Sequence, residues 1–380
     1  MRRGILFVCG LAAAFPGGLC LPASAGNACA ASCSSGLKLN EIQIIGTAES
    51  YKQRPSKGLL SLIRLGGEEG AETLNYGEPP IADQLDGGAR SLEFDIVYDP
   101  NGGLFKDPAG ASMADEVLDP KYVAAMGVPG FKVMHVPDVD FRSSCLLLKD
   151  CLDEVADWSR RHPGHIPIIV LLHANDRRTP MPGATRPLPF DAAAMDTLDG
   201  DIRRIFPADG LITPDMVQGG AATLREAVLA HHWPTLAAAR GKIMFVLDND
   251  ADKIGLYQGA RHNLEGRAMF VTADEASPLA AVVCIDDPLK DAARIAADVK
   301  AGFIVRTRAD ENAVEARASD AARRTEAFTS GAQIVATDFP IADATIGAYK
   351  VSITDNPRDT DKSADFIALP AAEVQTATVH

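Results

Sequence analysis

Glu93 and Asp95 sit two residues apart in "SLEFDIVY" (91–98), where Leu92, Phe94, Ile96 and Val97 are apolar. In a strand, a spacing of two puts both carboxylates on one face. Two like charges in such surroundings are costly unless a cation compensates them. Oxygen ligands of this kind favour Ca2+ or Mg2+, and one or two added imidazoles also admit Mn2+ or Zn2+. The alternative is a partly hydrated pair bonded to Arg306 or Arg308. Those two arginines share a face of "GFIVRTR" (302–308). If buried, they need anions, either these carboxylates or a substrate phosphate.

Two histidines belong to the same inventory. His135, in "MHVPDVDF", ends a β-rich run and is either a general acid/base or a satisfied core residue. Asp138 and Asp140 either orient it or cap a turn. His173 ends the apolar run "IPIIVLLHA" (166–174), where it is either a ligand or a bland core histidine. His162, His165, His231 and His232 read as surface residues of helices or loops, and His262 and His380 carry no signal. "EARASDAARR" reads as a solvated helix face. A Gly-rich phosphate loop, a G-x-S-x-G elbow and an H-E-x-x-H pair are all missing.

These groups need a scaffold that gathers strand ends. Eight apolar segments qualify as strands: 41–47, 91–98, 131–136, 166–174, 242–249, 268–274, 302–308 and 332–339. Helical patterns fall between them. Leu147, Cys151, Val155 and Trp158 recur at spacings of three and four within 144–162. Ala-rich stretches at 288–302 and 320–331 end on Gly302 and Gly331. Eight strands alternating with helices predict an α/β fold, a (β/α)8 TIM barrel, over a single domain at 39–380. A doubly wound open sheet competes, but no G-x-G-x-x-G follows a strand. The active site of such a barrel lies at the C-terminal strand ends. The first four strands then deliver Glu49, Glu93, Asp95, His135 and His173 to one mouth. Asp248, Asp250, Asp274, Arg306, Arg308 and Asp338 end later ones.

The 380 residues carry a formal net charge of −14. Residues 1–25 read as a secretory signal peptide: Arg2 and Arg3, an apolar run from Ile5 to Phe15, and "LPASA" as the cleavage site. Residues 26–38 read as a flexible lead-in. Loss of Arg2 and Arg3 with the leader would take the charge from −14 to −16. That surface argues against nucleic acid and anionic membrane as partners, and no later segment is long enough for a membrane anchor. An exported, periplasmic or secreted protein can hold disulfides. Cys145–Cys151 is the best pair in "SSCLLLKDC". A helix would part them by about 9 Å, so a bridge requires non-helical backbone near Cys145. Cys29–Cys33 is a second possibility, with Cys284 left as an odd, buried thiol.

The ordered blocks "LNEIQIIGT…SYK", "LNYGEPPIADQLDGGARSLEFDIVYDP", "FKVMHVPDVDFRSSCLLLKDCL", "HPGHIPIIVLL", "GKIMFVLDN", "GFIVRTRADENAVEAR" and "GAQIVATDFP" span nearly all of the mature chain. On them the chain resembles the bacterial Ca2+-dependent phosphatidylinositol-specific phospholipase C-like proteins, among the phospholipase C-like phosphodiesterase barrels. The resemblance implies phosphodiester cleavage assisted by metal and histidine. Usually the inositol 2-hydroxyl attacks phosphorus to give a cyclic phosphate. In family members the first strand ends "GTHNSY", giving a catalytic histidine and then an asparagine metal ligand. The second strand's Glu and Asp bind Ca2+, the third supplies a second catalytic histidine, and the fourth a glutamate ligand.

Glu93, Asp95 and His135 match that pattern. Ala48 stands where the first histidine belongs, Glu49 where the asparagine belongs, and His173, in "HAND", where the glutamate belongs. Glu49, Glu93, Asp95 and His173 still offer three carboxylates and one imidazole. The expectation is therefore a rearranged divalent-metal site, with Ca2+ first and Mg2+, Mn2+ or Zn2+ as alternatives. His135, Glu49, Arg306 and Arg308 would act on a lipid-headgroup or small-molecule phosphodiester. The rival readings are a metal-dependent carbohydrate hydrolase or lyase on the same barrel, and a non-catalytic binding relative. Oligomeric state is left open.

Overall fold

Apolar runs that alternate with helices fold here as a closed set of parallel strands. The computed structural model describes residues 36–357 and 366–368. The expected signal peptide (1–25), Cys29, Cys33 and His380 lie outside the described residues. In chain order the strands are β1 (Ile42–Thr47), β2 (Ala89–Asp99), β3 (Gly130–Val133), β4 (Ile168–Ala174), β5 (Leu211–Ile212), β6 (Ile243–Leu247), β7 (Met269–Val271), β8 (Val282–Cys284), β9 (Ile304–Arg308), β10 (Ile334–Thr337) and β11 (Ile367–Ala368).

The run β8-β9-β10-β1-β2-β4-β6-β7 is parallel throughout. A parallel bridge between Thr272 and Val282 joins its two ends, so eight parallel strands make a TIM barrel. Strands covered on both faces should be apolar throughout, and β6 (IMFVL) is buried at every residue. β4 is buried except at His173.

One expected stave is corrected. The segment 131–136 does not join the barrel. It forms β3, antiparallel to β2, with Ile96 opposite Val133 and Asp99 opposite Gly130. The cause is the length of β2, whose eleven residues overrun the mouth and leave edge groups to be paired. The eighth stave is β8, three residues long and too short to read from pattern alone.

The helices fall where the spacing puts them, at Leu148–Arg161, Pro288–Ala301 and Ala322–Thr329. Gly302 closes the second with a left-handed φ of 106°. Cys145 and Cys151 are bridged with Cα atoms 5.3 Å apart. Leu147 is extended and the helix begins at Leu148, so Cys145 lies in the non-helical backbone that the bridge requires. Cys284 is free and half-buried. His165 departs from its surface reading. It is buried, with Nε2 2.7 Å from the Ser159 hydroxyl. Among the described residues no helix is long and apolar enough to cross a membrane.

Candidate active site at the barrel mouth

The turn after β1 is stitched to β2 by short polar contacts. The Ser50 N–H donates to the Glu93 carbonyl (3.0 Å), and the Glu93 N–H donates to Ser50 Oγ (2.8 Å). Gln84 accepts from the Thr47 hydroxyl and donates to the Ser50 carbonyl, each at 2.6 Å. Gly46 permits the close approach beneath: a Cβ there would lie 2.9 Å from that of Ser91. Ala48 is buried, its N–H on the Thr337 carbonyl. Glu49 turns the chain with φ 47°, a conformation few non-glycine residues adopt and one often kept at functional sites.

β3 then returns the chain to the mouth. The Met134 N–H donates to the Asp95 carbonyl at 3.2 Å, setting His135 beside the acid pair. His135 has a carboxylate at each ring nitrogen: Asp140 Oδ2 lies 2.8 Å from Nδ1 and Glu49 Oε1 3.3 Å from Nε2. Burial opposes charge on the ring, but Glu49, Asp140 and Asp95 outweigh it and raise the pKa to about 10. His135 is therefore an imidazolium at neutral pH. Burial likewise opposes charge on Glu49, yet His135, Arg308, the Tyr76 hydroxyl and Lys52 hold its carboxyl below the ordinary range. Tyr76 donates to Glu49 Oε2. Of the two aspartates that could orient His135, Asp140 does so. Asp138 instead receives the N–H groups of Ala109 and Thr185, tying two loops together.

The other expected residues lie alongside. Asp95 pairs in register with His173 on β4. Burial, with the Glu93 and Glu49 charges, pushes Asp95 up to about 7 against the pull of His135 and His173. His173 Nδ1 lies 2.8 Å from the Asp248 carbonyl, which can only accept, so Nδ1 carries a proton and donates it there. Glu93 is paired with Arg306, and burial still keeps its carboxyl above the ordinary range. Arg306 also bonds Asp286 at 2.9 Å, and Arg308 bonds Asp338 at 2.6 Å.

Glu93, Asp95 and His173 are the donor types a divalent cation takes: two carboxyls that burial holds above the ordinary range, and an imidazole. Arg306 competes for Glu93. Among the described residues no three His, Cys, Asp or Glu side chains converge as they stand on one ion position. Glu49 is committed to His135 and Tyr76. Past Asp248 the mouth widens into a cavity of about 570 Å3 lined by Asp248, Asn249, Thr272, Asp274, Cys284 and Arg294, among others.

The mouth thus gathers Glu49, Glu93, Asp95, His135, His173, Arg306 and Arg308. Reasoning from sequence missed Tyr76 and Asp286. Neither stands in a periodic segment, and each reaches the mouth from a loop.

Comparison with known proteins follows the same lines. The family model of Ca2+-dependent phosphoinositide phospholipase C matches residues 37–360. Among solved structures, the chain is similar to a Ca2+-dependent phosphoinositol-specific phospholipase C from Pseudomonas sp, a Gram-negative bacterium, in its apo form and myo-inositol complex. The TM-score is 0.52 at 19% identity, over 84% of this chain and 96% of that one. A second apo crystal form of that enzyme gives 0.50 at 19% identity, over 83% and 95%. At these identities the likeness is one of fold. No curated protein matches the chain.

Proposed function

The chain belongs to the Ca2+-dependent phosphoinositide phospholipase C family, and on that premise we propose that it is an exported phosphodiesterase that cleaves a phosphoinositide or a related polyol phosphodiester. The observation that carries this reading is His135, with a carboxylate at each ring nitrogen at the barrel mouth. His135 protonates the leaving alcohol oxygen as the P–O bond breaks. Glu49 accepts the proton of the attacking hydroxyl in place of the imidazole that Ala48 lacks. Its Oε1 faces the His135 ring, so the proton it gains can pass there and restore the acid. The Arg306 arm now on Asp286 is the one free to exchange onto phosphate, because the Asp286 side chain is 54% exposed.

Glu93, Asp95 and His173 would hold the Ca2+, which when bound supplies charge stabilisation to the phosphoryl oxygens. Glu49, also a candidate ligand by residue type, is assigned to proton transfer because His135 and Tyr76 engage both its oxygens. The cavity beside Asp248 offers Asp248, Asn249, Asp274 and Arg294 as hydrogen-bonding partners for a polyol headgroup. The Cys145–Cys151 bridge supports export.

The test is a screen of headgroup phosphodiesters, with and without chelator, on the wild type, Glu93→Gln and His135→Ala. The reading predicts chelator-sensitive turnover that drops in both variants, by roughly 10²–10⁴ for His135→Ala. Turnover equal in all three would overturn it. Ala48 favours a second reading, a binding relative that keeps the mouth without turnover. Headgroup binding with no cleavage by the wild type would select it.

A further inference from the structure

Two lysines are fully buried among the described residues, Lys52 and Lys132. Lys132 lies on β3, 3.4 Å from Asp99, away from the chemistry. Lys52 lies just beyond the β1 turn, and two of its partners, Asp140 and Tyr76, lead back to His135. Its Nζ sits 3.2 Å from Asp140 Oδ2, the oxygen that holds His135 Nδ1. It also donates to the carbonyls of Leu74 and Tyr76, each at 2.9 Å, and lies 4.3 Å from the centre of the Tyr76 ring. The Tyr76 hydroxyl in turn holds Glu49, which faces His135 Nε2. The contacts close a ring: Lys52, Asp140, His135, Glu49, Tyr76 and back to Lys52.

Backbone contacts fix the same frame. The Ser144 N–H donates to the Tyr51 carbonyl (2.8 Å), the Gln53 N–H to the Arg142 carbonyl (3.2 Å), and the Lys52 N–H to the Glu49 carbonyl (2.7 Å). A buried ammonium is costly to desolvate, and a plain core position would take an apolar residue more cheaply. What an ammonium adds here is three donors that can bind one carboxylate and two carbonyls at once.

We infer that Lys52 is a positioning residue that acts through Asp140: it fixes this carboxylate against Nδ1 of His135, while Glu49 meets Nε2. This rests on the reading of His135 as the proton donor. A lysine acting through Asp140 has no effect once Asp140 can no longer hold the ring, so the two substitutions must be non-additive.

The experiment measures kcat and KM on an inositol phosphodiester for the wild type, Lys52→Met, Asp140→Asn, the double variant, and Lys132→Met as a structural control. Lys52→Met lowers kcat by about tenfold or more with KM within about twofold. It costs nothing further in the Asp140→Asn background. Lys132→Met leaves kcat within about twofold. A Lys52→Met kcat equal to the wild type, or a full further loss in the Asp140→Asn background, overturns the inference. If Lys52→Met alone does not fold, the double variant, which removes both charges of the pair, is compared with Asp140→Asn. Equal rates support the inference and a further loss overturns it.

A second readout is independent of turnover: the proton NMR signal of the His135 Nδ1–H at one fixed neutral pH. It is present in the wild type, and Lys52→Met shifts or abolishes it. An unchanged signal overturns the inference. If the wild type cleaves nothing, the catalytic reading fails, and this signal alone decides whether Lys52 positions the ring.

Discussion

Glu49 Oε1 lies 3.3 Å from Nε2 of His135, and the residue that makes this contact is the one that departs from the family's asparagine. Next to it Ala48 stands where the resemblance expects a histidine. On the proposed reading, Glu49 and His135 form the proton-transfer pair of the mouth.

Ca2+ binding should follow the donors that lie beside each other. Asp95→Asn and His173→Ala should each weaken binding measured by calorimetry, by about tenfold or more. Arg306→Gln should tighten it, because it frees Glu93 from its present partner. Affinity unchanged by all three substitutions would place the ion elsewhere.

The pKa of His135 gives stability a defined pH dependence. It is raised from an ordinary 6.5 to about 10 in the folded chain. The folded state thus holds the proton more tightly than the unfolded state. The contribution is full below about 6.5, declines as pH rises, and is gone above about 10. The wild type should therefore lose its advantage over His135→Gln in unfolding free energy across that interval. A difference that is flat from pH 6 to 10.5 would contradict the assignment.

The Cys145–Cys151 bridge closes a short loop, so its removal should cost about 2 kcal/mol and lower Tm by a few degrees. Activity at 25 °C should survive reduction. Asp140 is kept in place by Lys52 and by the backbone bonds between Tyr51–Gln53 and Arg142–Ser144. Parallel loss of Tm and activity under a reductant would show that the bridge itself holds the site.

Gly46 is a packing requirement of β1. Any side chain there would set a Cβ 2.9 Å from Ser91 Cβ and 3.0 Å from Ile334 Cγ2. Gly46→Val should cost about 1–3 kcal/mol by chemical denaturation and lower turnover by displacing Glu49. Unchanged stability would mean that the neighbouring strands yield freely.

Much of this was legible in the sequence because strong periodicity survives folding. The Glu93-x-Asp95 spacing, the continuous apolar run of β4 and the Gly302 stop each correspond to the element observed. His135 lies beside Glu49 and Asp140 although its segment is an antiparallel return and not a stave. Either a barrel stave or an antiparallel return along an overlong β2 brings the chain back to Asp95. What the sequence withheld depends on non-local pairing. β8 is too short to show a pattern. Tyr76 comes from a loop, and Lys52 has no apolar signature despite full burial. The residue types offer Arg306 or Arg308 as a partner for the acid pair, and only closure of the barrel decides that Arg306 takes Glu93.

The central claim is that Glu49 has taken over proton transfer with His135. The most direct measurement is the initial rate of inositol phosphodiester cleavage by the wild type and Glu49→Gln, an isosteric change that keeps a hydrogen-bond acceptor but removes the base. The account predicts a fall in kcat of roughly 10²-fold or more, with KM little changed. A Glu49→Gln enzyme that turns over at the wild-type rate would contradict it.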